Sequence, residues 1–155
     1  GFSLFVFMFV SSVSQHALAV VVEVNKGEES VLLPCKFSGL IPEDDPIAMW
    51  THGDLHPKSV HLRRKGGDDL REQNQHYSNR TSMSPDALYT GNFSLTLRKP
   101  QLTDSGNYTC SIGDGREERR LKEIQLQVKG QQQTQIPAVL IDQKSVLWRK
   151  VRGQI

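Results

Sequence analysis

Asp104-Ser105-Gly106-Asn107-Tyr108-Thr109-Cys110 is the most informative stretch of this 155-residue chain. Tyr108 stands two residues before a cysteine, the spacing of a tyrosine corner, in which the phenol hydroxyl bonds back to upstream backbone. Gly106 suits a tight turn into a strand. Asp104 has a natural partner in Arg80, since a guanidinium and a carboxylate pair through parallel hydrogen bonds and can pin the lower edge of a fold. Working outward, Cys35 lies 75 residues before Cys110, and Trp50 follows Cys35.

Short alternating runs surround these residues. Val31, Leu33, Cys35 and Phe37 alternate with Leu32, Pro34 and Lys36; Ala48 and Trp50 with Met49 and Thr51; Val60 and Leu62 with His61 and Arg63. Phe93, Leu95 and Leu97 follow the same rule, as do Tyr108, Cys110 and Ile112, and Ile124, Leu126 and Val128. Period-two alternation means one buried and one solvated face. Many short strands of this kind, with turn residues between them, imply two packed sheets. The order Cys, Trp, Cys sets an indole against a disulfide that joins the sheets. The expected fold is therefore all-β: an immunoglobulin β-sandwich over residues 20–129, with one inter-sheet disulfide between Cys35 and Cys110 and a core built on Trp50 and Tyr108. Closing so long a loop stabilises the fold by about 4 kcal/mol on the chain-entropy model. The span from Trp50 to Arg80 has room for two extra strands, the first over residues 58–64, so the domain is expected to be variable-type.

The flanks differ in character. Residues 2–10 are almost wholly apolar and lead to Ala17-Leu18-Ala19. This is the pattern of a secretory signal peptide, expected over residues 1–19 and incomplete at its N-terminal end. A buried strand or core helix is the plainer alternative. Secretion would carry the chain into an oxidising compartment, where a disulfide persists. Residues 130–155 open with a Gln-rich stretch and then become basic, with Lys144, Arg149, Lys150 and Arg152. They are expected to be a polar and basic linker or truncated stalk. Their apolar piece, residues 138–141, is far short of the ~20 residues of a membrane helix.

Asn79-Arg80-Thr81-Ser82-Met83-Ser84-Pro85, then Gly91-Asn92-Phe93-Ser94-Leu95-Thr96-Leu97, then residues 104–110 resemble the V-set domain of butyrophilin-like proteins and T-cell co-signalling ligands, the myelin-oligodendrocyte-glycoprotein-like group. The resemblance covers residues 20–129. It implies a cell-surface ligand on the external side of the plasma membrane that binds a protein receptor on leukocytes and modulates immune signalling. Membrane anchoring is implied by the resemblance alone; a chain truly ending here would be secreted. It also implies binding through the sheet that carries Trp50. The outward positions expected there are Met49, Thr51, His61, Arg63, Thr109, Ser111, Glu123 and Gln125, with Arg116 in the adjacent charged loop. Singly, each is equally an ordinary solvated residue. Residues 121–125 lack the Gly-x-Gly bulge of antigen-receptor joining segments, which weighs against a rearranged receptor chain. A homophilic adhesion protein, forming a homodimer through the same face, and a soluble or antigen-receptor-type recognition domain remain alternatives.

Three N-x-S/T sequons are candidate glycosylation sites: Asn79, Asn92 and Asn107. Asn92 and Asn107 are expected to point outward. A formal charge of +2 is too small for a nucleic-acid footprint. His52 and His56 flank a turn without companion ligands, so no metal or cofactor is expected. Asp44-Asp45 and Asp68-Asp69 read as turn residues. Without a nucleophile elbow or phosphate loop, binding rather than catalysis is expected.

Overall fold

Two β-sheets face each other across the Cys35–Cys110 disulfide in the computed structural model, which describes residues 19–130. The elements are β1 (Val20–Asn25), β2 (Ser30–Leu33), β3 (Ile47–His52), β4 (Ser59–Arg64), β5 (Gly67–Asp68), β6 (Thr81–Met83), a short helix α1 (Ala87–Thr90), β7 (Leu95–Arg98), β8 (Gly106–Gly113) and β9 (Glu118–Lys129). One sheet has the order β1-β9-β8-β3-β4-β5 and the other the order β2-β7-β6. All pairings are antiparallel except β1 with β9. The two strands expected between Trp50 and Arg80 are β4 and β5, which widen the larger sheet. The expected signal peptide, residues 1–19, and the expected linker or stalk, residues 130–155, lie outside the described residues except for Ala19 and Gly130.

Between the sheets, Leu33, Trp50, Phe93, Leu95, Leu97, Tyr108, Ile124 and Leu126 are buried. Alternation put each of them inward, and burying large apolar side chains from both sheets is the main driving force for the sandwich. The Trp50 indole spans the layers, its Nε1 donating to the Phe93 carbonyl oxygen at 2.7 Å. This bond removes the cost of a buried unpaired N–H.

The lower end is closed by a fully buried carboxylate. Asp104 receives Arg80 Nη2 at 2.5 Å, Arg80 Nη1 at 3.2 Å, the Gln101 amide at 2.7 Å and His76 Nε2 at 2.8 Å. The guanidinium also donates to the carbonyls of His76, Arg98 and Lys99, tying β7 and the turn before β6 to the same point. Tyr108 donates its hydroxyl proton to the Asp104 carbonyl at 2.6 Å, which completes the tyrosine corner. That proton is thereby committed, so Tyr77, 3.0 Å away, donates to the Tyr108 oxygen. His52 Nδ1, 2.5 Å from the Tyr77 hydroxyl, must then be the donor to it. One directed chain runs from imidazole to phenol to phenol to backbone. Burial pushes the Tyr77 hydroxyl up to about 12 and Tyr108 higher still, so both stay protonated.

Gly106 has a reason beyond its turn. A Cβ there would lie 2.3 Å from His52 Nε2, so the imidazole occupies the space that any other residue would fill. Its φ of +147° also disfavours an L side chain.

Replacing Arg80 with Ala leaves the Asp104 carboxylate buried without its main partner, and the expected loss of stability is about 3–5 kcal/mol, read from urea denaturation. Burial also lowers the His52 pKa from 6.5. The unfolded chain then binds a proton that the native state resists, so this stability is complete above about 6.5 and is lost as pH falls through the depressed native value. The urea midpoint is expected to drop between pH about 7.5 and about 5, and to drop less in His52→Gln, which keeps a donor toward Tyr77.

Candidate protein-binding face

The outer surface of the six-stranded sheet is organised by its register. Met49 pairs with Ser111 and Leu62, Thr51 with Thr109, Thr109 with Glu123, and Asn107 with Gln125. Met49, Thr51 and Thr109 are half-buried at the centre, while Glu123 and Gln125 are exposed toward β1. A shallow depression of about 660 Å³ crosses the middle of the face, lined by Met49, Thr51, Lys58, Thr109, Glu118 and Arg120. A smaller one of about 220 Å³ lies beneath the β8–β9 hairpin, floored by Ile47, Met49 and Ser111 and walled by exposed Arg116. The hairpin holds its shape because the Asp114 carboxylate accepts the amides of Arg116 at 2.9 Å and Glu117 at 3.0 Å. Those backbone bonds, Glu117 first, hold the Asp114 carboxyl below its ordinary value. Gly113 allows the close approach: a Cβ there would meet the Glu117 carbonyl oxygen at 2.5 Å.

Three residues expected on the open face are not available there. His61 and Arg63 point inward, and Ser111 is covered. A β-bulge opposite Trp50 and Thr51 makes Val60 an extra residue in β4, so His61 pairs with Trp50 and Arg63 with Ala48 on the inner side. One inserted residue reverses every later side chain, which strict alternation cannot anticipate. Leu62, expected inward, consequently lies on the outer side beside Met49, where it is covered, at 9% exposure. Ser111 keeps its outward parity, but at 1% exposure it forms the floor of the smaller depression.

The displaced pair has a structural task. Arg63 donates to Asp68 Oδ1 at 2.6 Å, the Ser84 carbonyl at 2.7 Å and the Met83 carbonyl at 3.3 Å. His61, at 0% exposure, bonds Asp68 at 2.8 Å and Thr81 Oγ1 at 2.9 Å. Together they sew β4 of one sheet to β6 of the other. Burial pushes the Asp68 carboxyl up, but hydrogen bonds from Arg63 and His61 outweigh it, so its pKa lies below the ordinary value. Asp68, read from sequence as a turn residue, is thus also a hub.

Sequence reasoning missed Lys58 and Arg120 on the face and placed Glu118 only in the adjacent loop. A second bulge, at Leu121 opposite Cys110 and Ser111, turns Arg120 outward although strict alternation from Ile124 would bury it. Of the sequons, Asn79 and Asn107 are exposed, whereas Asn92 is half-buried with its Oδ1 bonded to the Ser94 amide and hydroxyl. Among the described residues no group of three or more His, Cys, Asp or Glu could hold a metal ion, and no helix is long and apolar enough to cross a membrane.

The model of the immunoglobulin V-set domain matches residues 19–129. The chain belongs to the immunoglobulin V-set family. Its V-set domain is 35% identical over 101 residues to human V-set domain-containing T-cell activation inhibitor 1, a match that covers 63% of this chain and 35% of that protein. It is 32% identical over 115 residues to myelin-oligodendrocyte glycoprotein of Macaca fascicularis, covering 73% of this chain and 45% of that one. Among solved structures, the human B7-H4 IgV-like domain superposes with a TM-score of 0.61 at 31% identity, covering 72% of this chain and 93% of that one. These relatives place the V-set domain in the group of butyrophilin-like and T-cell co-signalling proteins that its residues resemble. The chain spans less than half the length of the curated relatives it matches.

Because Arg63 holds two carbonyls and a carboxylate, Arg63→Ala is expected to cost about 1–3 kcal/mol of stability by leaving them unpaired. Glu123→Arg, on the open face, is expected to stay within about 0.5 kcal/mol of wild type. Urea midpoints of the two variants check both.

Proposed function

We propose that this V-set domain is the recognition module of a cell-surface ligand, displayed on the outer side of the plasma membrane, that binds a receptor on leukocytes and modulates immune signalling. The observation that carries the reading is the face itself. Met49 and Ile47 give it an apolar centre, and Lys58, Glu118, Arg120 and Glu123 give it a charged rim. An apolar centre within a polar rim is the anatomy of a protein–protein interface. Similarity to a T-cell activation inhibitor points the partner toward the T-cell surface. Mixed charge around the rim suits one complementary protein partner rather than a polyanion.

Met49 is the natural anchor, since it is central, flexible and half-buried, and interface energy concentrates in such central positions. A fluorescent multimer of the domain is expected to stain a leukocyte subset. Met49→Glu is expected to weaken that staining by at least about 30-fold, the size of a 2 kcal/mol hot spot, with an unchanged urea midpoint. Absence of staining on every leukocyte type, together with concentration-dependent dimerisation in ultracentrifugation, would overturn the reading in favour of homophilic adhesion.

A further inference from the structure

Two of the three sequons are exposed, and both lie at one end of the sandwich. Asn79 precedes Arg80, whose guanidinium is bonded to Asp104. Asn107 follows Asp104 by three residues and gives its carbonyl to the Gly53 amide at 3.1 Å. The chain leaves the domain at this same end: Gly106 pairs with Leu126, the Val128 amide donates to Ser105 Oγ at 3.0 Å, and β9 stops at Lys129. The β8–β9 hairpin and its depression sit at the opposite end, about 20 Å from Asn107 along β8 at 3.3 Å per residue. Asn92 belongs to the far end, where it bridges to Lys36.

We infer that Asn79 and Asn107 each carry an N-linked glycan, and that the two glycans form a collar around the chain-exit end and confine partner contact to the hairpin half of the face. In each modification the carboxamide nitrogen attacks the anomeric carbon of an oligosaccharide carried on a polyisoprenoid diphosphate. An N–C bond forms, the C–O bond to phosphate breaks, the lipid diphosphate leaves and one amide proton is released. The Cys35–Cys110 disulfide belongs to the same oxidising secretory route. A glycan is bulky and hydrated. On Asn107, beside exposed Gln125, it covers the lower strip of the face. It leaves Met49, Ile47 and the hairpin open. The footprint part of this inference rests on the receptor-binding reading; the collar itself does not.

The test uses the full chain secreted from mammalian cells. Enzymatic deglycosylation in heavy-oxygen water followed by peptide mass spectrometry is expected to label both Asn79 and Asn107; an unlabelled residue at either position overturns the collar. For the footprint, Asn107→Gln is expected to keep leukocyte staining within about twofold of wild type. A new sequon in the hairpin, made by Arg116→Asn with Glu118→Thr, is expected to abolish staining while near-ultraviolet circular dichroism stays native. Loss of staining in Asn107→Gln, or full staining with the hairpin glycan attached, overturns the confinement. A wild-type chain that stains nothing defeats the receptor reading, yet the mass spectrum still decides the collar.

Discussion

The buried carboxylate of Asp104 is the point from which the rest of the structure is fixed. It is taken fully out of water, and a buried charge is tolerable only when its lone pairs are filled. Arg80 fills them and reaches on to three carbonyls, so the lower ends of β6, β7 and β8 meet at one residue. The Asp104 carbonyl, in turn, takes the proton that orders Tyr108, Tyr77 and His52. Since β8 carries Cys110 and pairs with both β3 and β9, its position sets the register of the whole outer face.

Much of this was legible in the sequence because it is local. The spacing from Asp104 to Cys110 puts the carboxylate, the glycine, the tyrosine and the cysteine on one turn and one strand, and no distant residue can alter that. Trp50 and the disulfide were legible by parity, and so were most core positions. The partners Tyr77 and His52 were not. His52 enters the corner from β3 and Tyr77 from the helical turn before β6, and nothing local to either residue marks it as the next link in a chain of hydrogen bonds. The Gly106 turn was legible, but the imidazole that occupies its Cβ space was not.

The face was read less well than the core, and for one physical reason. Two of the strand pairs that build it, β3 with β4 and β8 with β9, contain a bulge. A bulge leaves composition and alternation nearly unchanged while reversing the direction of every residue beyond it. His61 and Arg63 were therefore expected toward solvent when they are inter-sheet ties, Leu62 was expected inside the sandwich when it lies on the outer side, and Arg120 was not singled out at all. Thr109, Glu123 and Gln125 lie where pairing is regular, and Thr51, although at the bulge, keeps its direction through the regular pairing of β3 with β8, so parity placed these four on the outer side.

The bulge in β4 also has a structural use. Turning Arg63 and His61 inward closes the gap between β4 and β6 with hydrogen bonds instead of apolar packing, in the part of the sandwich where the smaller sheet has only three strands to offer. Turning Leu62 outward places an apolar side chain beside Met49, where it lies covered at 9% exposure. The inner face of β4 is thus given to inter-sheet ties and its outer face to the surface of the six-stranded sheet, because the bulge at Val60 gives β4 one residue more than β3 across the paired stretch.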